Sequence, residues 1–170
     1  MADITIALAG NPNAGKTTIF NALTGLHQHT GNWPGKTVEK KEGEIQHGKL
    51  IINIVDLPGT YSLTAYSPEE IIARDFIIQE RPDVVINVVD ATNLERNLYL
   101  TVQLLELDVP VVLALNMADA LKKDGAKVNI EILSQLLGDI PVVQTAANQG
   151  KGISELITTA VHAARKSEAL

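Results

Sequence analysis

Eight residues, Gly10-Asn11-Pro12-Asn13-Ala14-Gly15-Lys16-Thr17, carry the spacing of a phosphate-binding loop: a glycine, four residues, then Gly-Lys-Thr. Glycines at Gly10 and Gly15 let the backbone curl so that the amides from Asn13 through Ala14 to Thr17, with Thr18 behind them, face phosphate oxygens. A helix starting there adds positive potential. Lys16 is placed to bridge a β- and a γ-phosphate, and the Thr17 hydroxyl to ligate Mg²⁺. A glycine-rich turn that merely joins a strand to a helix is the plainer reading, and Lys16 and Thr17 in register weigh against it.

Three further short motifs add chemistry. Asp56-Leu57-Pro58-Gly59 ends an apolar run, putting a carboxylate where it can hold Mg²⁺ through water and a glycine amide where it can meet a γ-phosphate. Asn116-Met117-Ala118-Asp119 follows the apolar run VVLAL; an ionised Asp119 accepts from the N1–H and N2 amine of guanine, whereas adenine offers an acceptor at N1. Asn116 is expected to bond the purine edge and tie its loop to the phosphate loop, with the Met117 stem over one face of the base. Thr145-Ala146-Ala147 can direct a backbone amide at guanine O6. Each motif also has an ordinary loop reading, since Asn, Asp, Pro and Gly are common turn residues; their order along the chain is the stronger signal.

These loops need strands to end beside them. Ile4 to Ala9, Leu50 to Val55, Val84 to Val89, Val111 to Leu115 and Val142 to Val143 are short, β-branched apolar runs of the kind buried in parallel sheets. Ser67-Pro68-Glu69-Glu70 predicts a capped helix to about Ile78, and Thr92 with Glu95 predicts a second cap. Amphipathic helices are expected over Asn129 to Gly138 and Ile153 to Ala164. Thr37 to Val55 breaks the alternation: two strand-like stretches flank His47-Gly48-Lys49 and predict an antiparallel hairpin. The expected fold is therefore α/β, a mostly parallel six-stranded sheet with one antiparallel edge strand and helices on both faces.

The 170 residues suit one domain, 1–170, and their 45% hydrophobic content suits an ordered core. A net charge of −6 and a pI near 5.1 disfavour nucleic acid as a partner, because phosphate contact needs a basic face. Without cysteine there is neither a disulfide framework nor a thiolate metal site, in keeping with a reducing cytoplasm. No run approaches the roughly 20 apolar residues of a membrane span, and MADITIALAG lacks a signal peptide's basic segment. The expectation is a soluble domain, the front of a longer protein.

Phosphate loop, Thr37, DLPG, NMAD and TAA stand in the order of the five guanine-nucleotide motifs of small GTPases, and the whole chain resembles that P-loop NTPase superfamily. More closely, GNPNAGKT, HTGNWPGKTVE, DLPGTYSL and NMAD resemble the N-terminal G domain of the ferrous-iron transport protein B family. That resemblance implies a Mg²⁺-dependent GTPase that binds GTP and GDP, with Thr37 in switch I reaching Mg²⁺ and Gly59 to Ser67 forming switch II. It further implies a cytoplasmic position at the membrane face, a helical spacer and membrane domain in the same protein, and assembly of copies through the switch regions. A ribosome-assembly or tRNA-modifying GTPase is the rival, and a nucleotide-sensing module with negligible turnover is a third reading.

Thr60 stands where many small GTPases carry the water-orienting glutamine, so slow unaided hydrolysis is expected. The resemblance to potassium-using relatives implies that Asn13 coordinates K⁺ beside the phosphates, assisted by carbonyls around Gly31 to Trp33; alternatively, Asn13 only braces the loop. Met117 replaces a common lysine, while Asp119 retains guanine selection. His27 and His29 are read as solvated switch-loop residues rather than iron ligands. Trp33 is either a reporter in a segment that reorders with the γ-phosphate or a buried anchor.

Overall fold

The computed structural model describes residues 2–123 and 125–169. Strand β1 (Ile4–Gly10) leads through the phosphate loop into α1 (Lys16–Thr24). Then come β2 (Gln28–Asn32), β3 (Glu39–His47), β4 (Leu50–Asp56), α2 (Pro68–Glu80), β5 (Val84–Asp90), α3 (Leu94–Glu106) and β6 (Val111–Asn116). The remainder is α4 (Ala118–Lys123), α5 (Ile130–Leu136), β7 (Val142–Gln144) and α6 (Ile153–Glu168).

Among the described residues the strands form one seven-stranded sheet in the order β2-β3-β4-β1-β5-β6-β7. The five from β4 to β7 run parallel, and β2 and β3 run antiparallel at one edge. The α/β class and the hairpin are as expected. The strand count is seven rather than six, because Gln28–Asn32 pairs with β3 as a second antiparallel strand. Its sequence, QHTGN, is polar and mostly exposed. An edge strand with no buried face shows no alternation to read.

Period-two alternation divides the core. Ile4, Ile6 and Leu8 of β1 join Phe20 of α1 and Leu156 and Ala160 of α6 on one face. Ala7 and Ala9 join Ile72 and Ile77 of α2 and Leu100 and Leu104 of α3 on the other. The β3–β4 turn is a two-residue loop, Gly48-Lys49, whose glycine takes the positive φ of 62° that such tight hairpins demand.

Helix α2 starts as its sequence dictates: Ser67 Oγ accepts from the Glu70 amide at 3.2 Å, and Pro68 occupies the first turn. Thr92 is not the cap of α3. Asp90 Oδ1 accepts both the Thr92 amide (2.8 Å) and its hydroxyl (2.6 Å), closing a 3₁₀ turn over Ala91–Asn93, so that α3 begins at Leu94. The carboxylate at the end of β5 outcompetes the hydroxyl two residues later. β1 lies between β4 and β5; the chain leaves β1 through α1 for the β2–β4 side, and α2 then carries it from β4 across β1 to β5, so the crevice beyond Gly10 is a switch point of the sheet, where open α/β folds bind ligands.

Candidate functional site

The phosphate loop closes on itself through the Ala14 amide, which donates to Asn11 O at 3.1 Å. Gly15 takes φ 91° and caps α1, a conformation that L side chains rarely adopt. A Cβ there would also stand 2.1 Å from Asn116 Nδ2, so the position admits only glycine. Gly10 is equally confined, 2.7 Å from Val88 O by the same measure. Asn13, Thr17 and Thr18 are exposed, whereas Ala14 and Lys16 are buried.

Beneath the loop lies a polar strut that sequence reasoning missed. Asn87 of β5 donates to Ala9 O at 3.3 Å and accepts from the Thr101 hydroxyl of α3, with both side chains wholly buried. An asparagine inside VVINVVD was its one visible sign.

Lys16 Nζ forms an ion pair with Asp56 Oδ1, and both side chains are more than nine-tenths buried. Burial raises the Asp56 carboxyl above its ordinary value of 3.8; attraction to Lys16 opposes this without reversing it. Downstream, the Leu57 amide donates to Leu8 O (3.0 Å) and the Thr60 amide to Gly10 O (3.1 Å), which lays the DLPG turn alongside the phosphate loop. A Cβ on Gly59 would stand 2.9 Å from Pro12 Cα. Thr60 is buried.

Asn116 joins the phosphate side to the other end of the site. Its Nδ2 donates to Ala14 O (3.0 Å), and its Oδ1 accepts from Thr145 Oγ1 (3.0 Å) and the Ala147 amide (3.1 Å). The expected tie between this loop and the phosphate loop is therefore present. Met117 takes φ 61°, and its Cε lies 3.8 Å from where a Gly15 Cβ would stand. Asp119 is half-buried, and its Oδ2 accepts from Gln149 Nε2 at 2.9 Å. The Thr145, Ala146 and Ala147 amides all donate within the fold, to Leu115 O, Lys151 O and Asn116 Oδ1. None of the three is open to a guanine O6 in this conformation.

Thr37 is exposed in the 33–38 arm that joins β2 to β3. Because Lys41 pairs with Asp56, β3 carries this arm past the carboxyl end of β4, onto the edge that holds the phosphate loop. Gly31 and Asn32, expected in a loop, belong to β2, and Trp33 O accepts the Lys36 amide at 2.9 Å. Trp33 is buried in this conformation: 7% exposed, edge-on to Phe76 of α2 at 5.7 Å between centroids, with Lys40 Nζ 5.0 Å from its ring. Its Nε1 has no hydrogen-bond partner among the described residues. His27 and His29 are exposed, His29 on strand β2 opposite Glu42 rather than in a loop. Among the described residues no three His, Cys, Asp or Glu side chains are grouped to hold a metal ion.

The segment after DLPG is tied down by residues outside the nucleotide motifs. Gln103 of α3 accepts the Leu63 amide at 2.7 Å, Arg96 lies 4.5 Å over the Tyr61 ring, and Glu70 accepts from the Ser62 and Thr64 hydroxyls. Those hydrogen bonds, with the Thr64 bond foremost, hold the Glu70 carboxyl below its ordinary value.

This geometry agrees with the comparisons to known proteins. The family model for ferrous iron transport protein B matches residues 4–160. An Fe(2+) transport protein A/Fe(2+) transporter FeoB fusion protein of Porphyromonas gingivalis is 55% identical over 159 residues, 93% of this chain and 19% of that protein. The FeoB G-domain of Methanococcus jannaschii superposes with a TM-score of 0.86 at 50% identity, covering 97% of this chain and 99% of that one. A point mutant of S. thermophilus NFeoB bound to GDP gives 0.89 at 52% identity, covering 94% and 62%. The chain thus spans about a fifth of the length of the curated FeoB relatives it matches. With its motif loops gathered at one edge of a FeoB-like sheet, this chain belongs to the ferrous iron transport protein B family and corresponds to its N-terminal G domain.

Proposed function

We propose that this domain binds guanine nucleotide with Mg²⁺ and hydrolyses GTP, as the cytoplasmic nucleotide switch of a ferrous-iron transporter. The observation that carries this reading is the Asn116 bridge, which holds the Lys16 loop and the Asp119 loop against each other at one sheet edge. The nucleotide then lies with its phosphates over Asn13 to Thr18 and its base against Met117 and Asp119. The GDP carried by the S. thermophilus relative supports the same ligand class.

When GTP enters, the Lys16 ammonium exchanges Asp56 for the β- and γ-phosphate oxygens, so a buried charge never lacks a partner. Thr17, Thr37 and, through water, Asp56 would hold Mg²⁺; hydroxyl and carboxylate oxygens are the hard donors that ion takes, and it supplies charge neutralisation on the phosphates. Gly59 offers its amide to the γ-phosphate. Water attacks the γ-phosphorus, the bond to the β–γ bridging oxygen breaks, and GDP leaves. Thr60 is buried, its backbone amide is engaged by Gly10 O and its side chain carries no amide to orient that water, so the unaided rate is slow. Asn13, exposed at the rim, would hold K⁺ where charge develops during transfer. The helical spacer and membrane domain of the full protein receive the signal.

Nucleotide titration with Asp119→Asn tests the base assignment. The amide reverses one donor and acceptor, so xanthosine diphosphate should displace GDP as the preferred ligand; a variant that still prefers GDP overturns it. Single-turnover hydrolysis in K⁺ and Na⁺ tests the cation: equal rates, or a potassium response retained by Asn13→Ala, remove that role. Tight binding without turnover in either salt would favour the sensing-module reading.

A further inference from the structure

Gln149 lies outside every motif the sequence displays, yet it is the hydrogen-bond partner of the residue proposed to select the base: its Nε2 donates to Asp119 Oδ2 at 2.9 Å. The loop around it is built to keep it there. Ala146 and Lys151 exchange backbone hydrogen bonds of 3.1 and 3.2 Å, closing the 3₁₀ turn Ala147–Gln149. Gly150 turns the chain with φ 68°, and Gly152 sits so close that a Cβ would stand 2.2 Å from Gln144 O. The Ala147 amide pins the start of the turn to Asn116.

A side-chain amide N–H₂ is the same kind of donor as the exocyclic 2-amino group of guanine: planar, neutral and doubly protonated. We propose that Gln149 is a specificity-determining residue whose amide stands in for the guanine 2-amino group on Asp119, capping that carboxylate when the base is absent. The inference rests on the guanine reading of Asp119. Guanine engages the carboxylate through both N1–H and N2–H₂, so Gln149 must yield when GDP or GTP binds, and it recaps Asp119 as the nucleotide leaves. Hypoxanthine has N1–H and no 2-amino group, so with inosine nucleotides Gln149 keeps its place and supplies the missing bond. The residue thereby speeds guanine nucleotide release and narrows the margin between guanine and hypoxanthine.

The test measures affinities and stopped-flow dissociation rates of GDP and IDP for the domain, with Gln149→Ala and with Gln149→Met, which keeps most of the bulk and deletes the donor. The Gln149–Asp119 bond is exposed, so it takes the ordinary net worth of a side-chain hydrogen bond, about a three- to tenfold change in affinity. The expected result is GDP held about three- to tenfold more tightly by both variants, through slower release, with IDP unchanged or weaker, so that the GDP/IDP ratio rises. Equal weakening of both nucleotides would make Gln149 a support for Asp119 and overturn the proposal, as would no change in either or equal tightening of both. Failure of the underlying base assignment is read separately, from the xanthine preference of Asp119→Asn.

Discussion

Asn116→Ala is the perturbation that most directly probes whether the two halves of the site are one structure. The side chain is 3% exposed and makes three hydrogen bonds, to Ala14 O, Thr145 Oγ1 and the Ala147 amide. Each such bond contributes about 0.5–1.5 kcal/mol net, and buried groups left without a partner push the loss towards the upper end. Ala14, Thr145 and Ala147 are all buried, so the three together put the cost at about 3–4 kcal/mol. Against a total stability of about 5–15 kcal/mol the variant remains folded. Urea denaturation should show the midpoint falling by roughly 1–3 M with an unchanged slope. Combining it with Thr145→Val, which removes one of the same bonds, should give a double-mutant coupling of at least about 0.5 kcal/mol. A loss under about 1 kcal/mol, or strict additivity, would refute the account of Asn116 as the joint between the loops.

Asp56 predicts an unusual pH response. Its folded carboxyl value is raised above the unfolded one, so the native state binds the proton more tightly; its contribution is present below the ordinary value of 3.8 and fades as pH climbs through the raised one. The stability of the nucleotide-free domain relative to Asp56→Asn should therefore decline with rising pH over that window, and a relative gain would mean that attraction to Lys16 outweighs burial. Gly59→Ala forces its Cβ against Pro12 Cα at 2.9 Å, so GTP-analogue affinity should drop about tenfold or more while GDP affinity changes less; equal losses would mean that the turn does not meet the γ-phosphate. Trp33 emission should shift red when a GTP analogue replaces GDP, since closure of Thr37 onto the nucleotide draws the indole from beside Phe76; an unchanged spectrum would leave the arm docked in both states.

Much of this site was legible because its chemistry demands residues that cannot be exchanged. Gly10 and Gly15 are glycines for lack of space, Lys16 and Asp56 are buried charges that need each other, and Asn116 bonds backbone in two other loops. The strands around them alternate or run apolar because both sheet faces are covered, and β2 was illegible because its faces are not. Asp90 displaced Thr92 as a cap through a geometry that only the end of β5 creates. Gln149 could not be read at all, since its partner lies 30 positions away and its own neighbours form an ordinary polar turn. The amides of Thr145 to Ala147 were legible as a loop but not as donors already engaged.

The arm bearing Thr37 carries its own backbone bonds, Trp33 N to Val38 O and Lys36 N to Trp33 O, while its indole N–H meets no acceptor among the described residues. Swinging away from α2 would therefore break no polar bond of the indole; what restrains it is oily contact with Phe76 and its neighbours, together with one ammonium over the ring. Such contact weakens on cooling. A latch of this composition should leave the nucleotide cycle with a cold-sensitive step, its resting arm progressively unfastened as temperature drops.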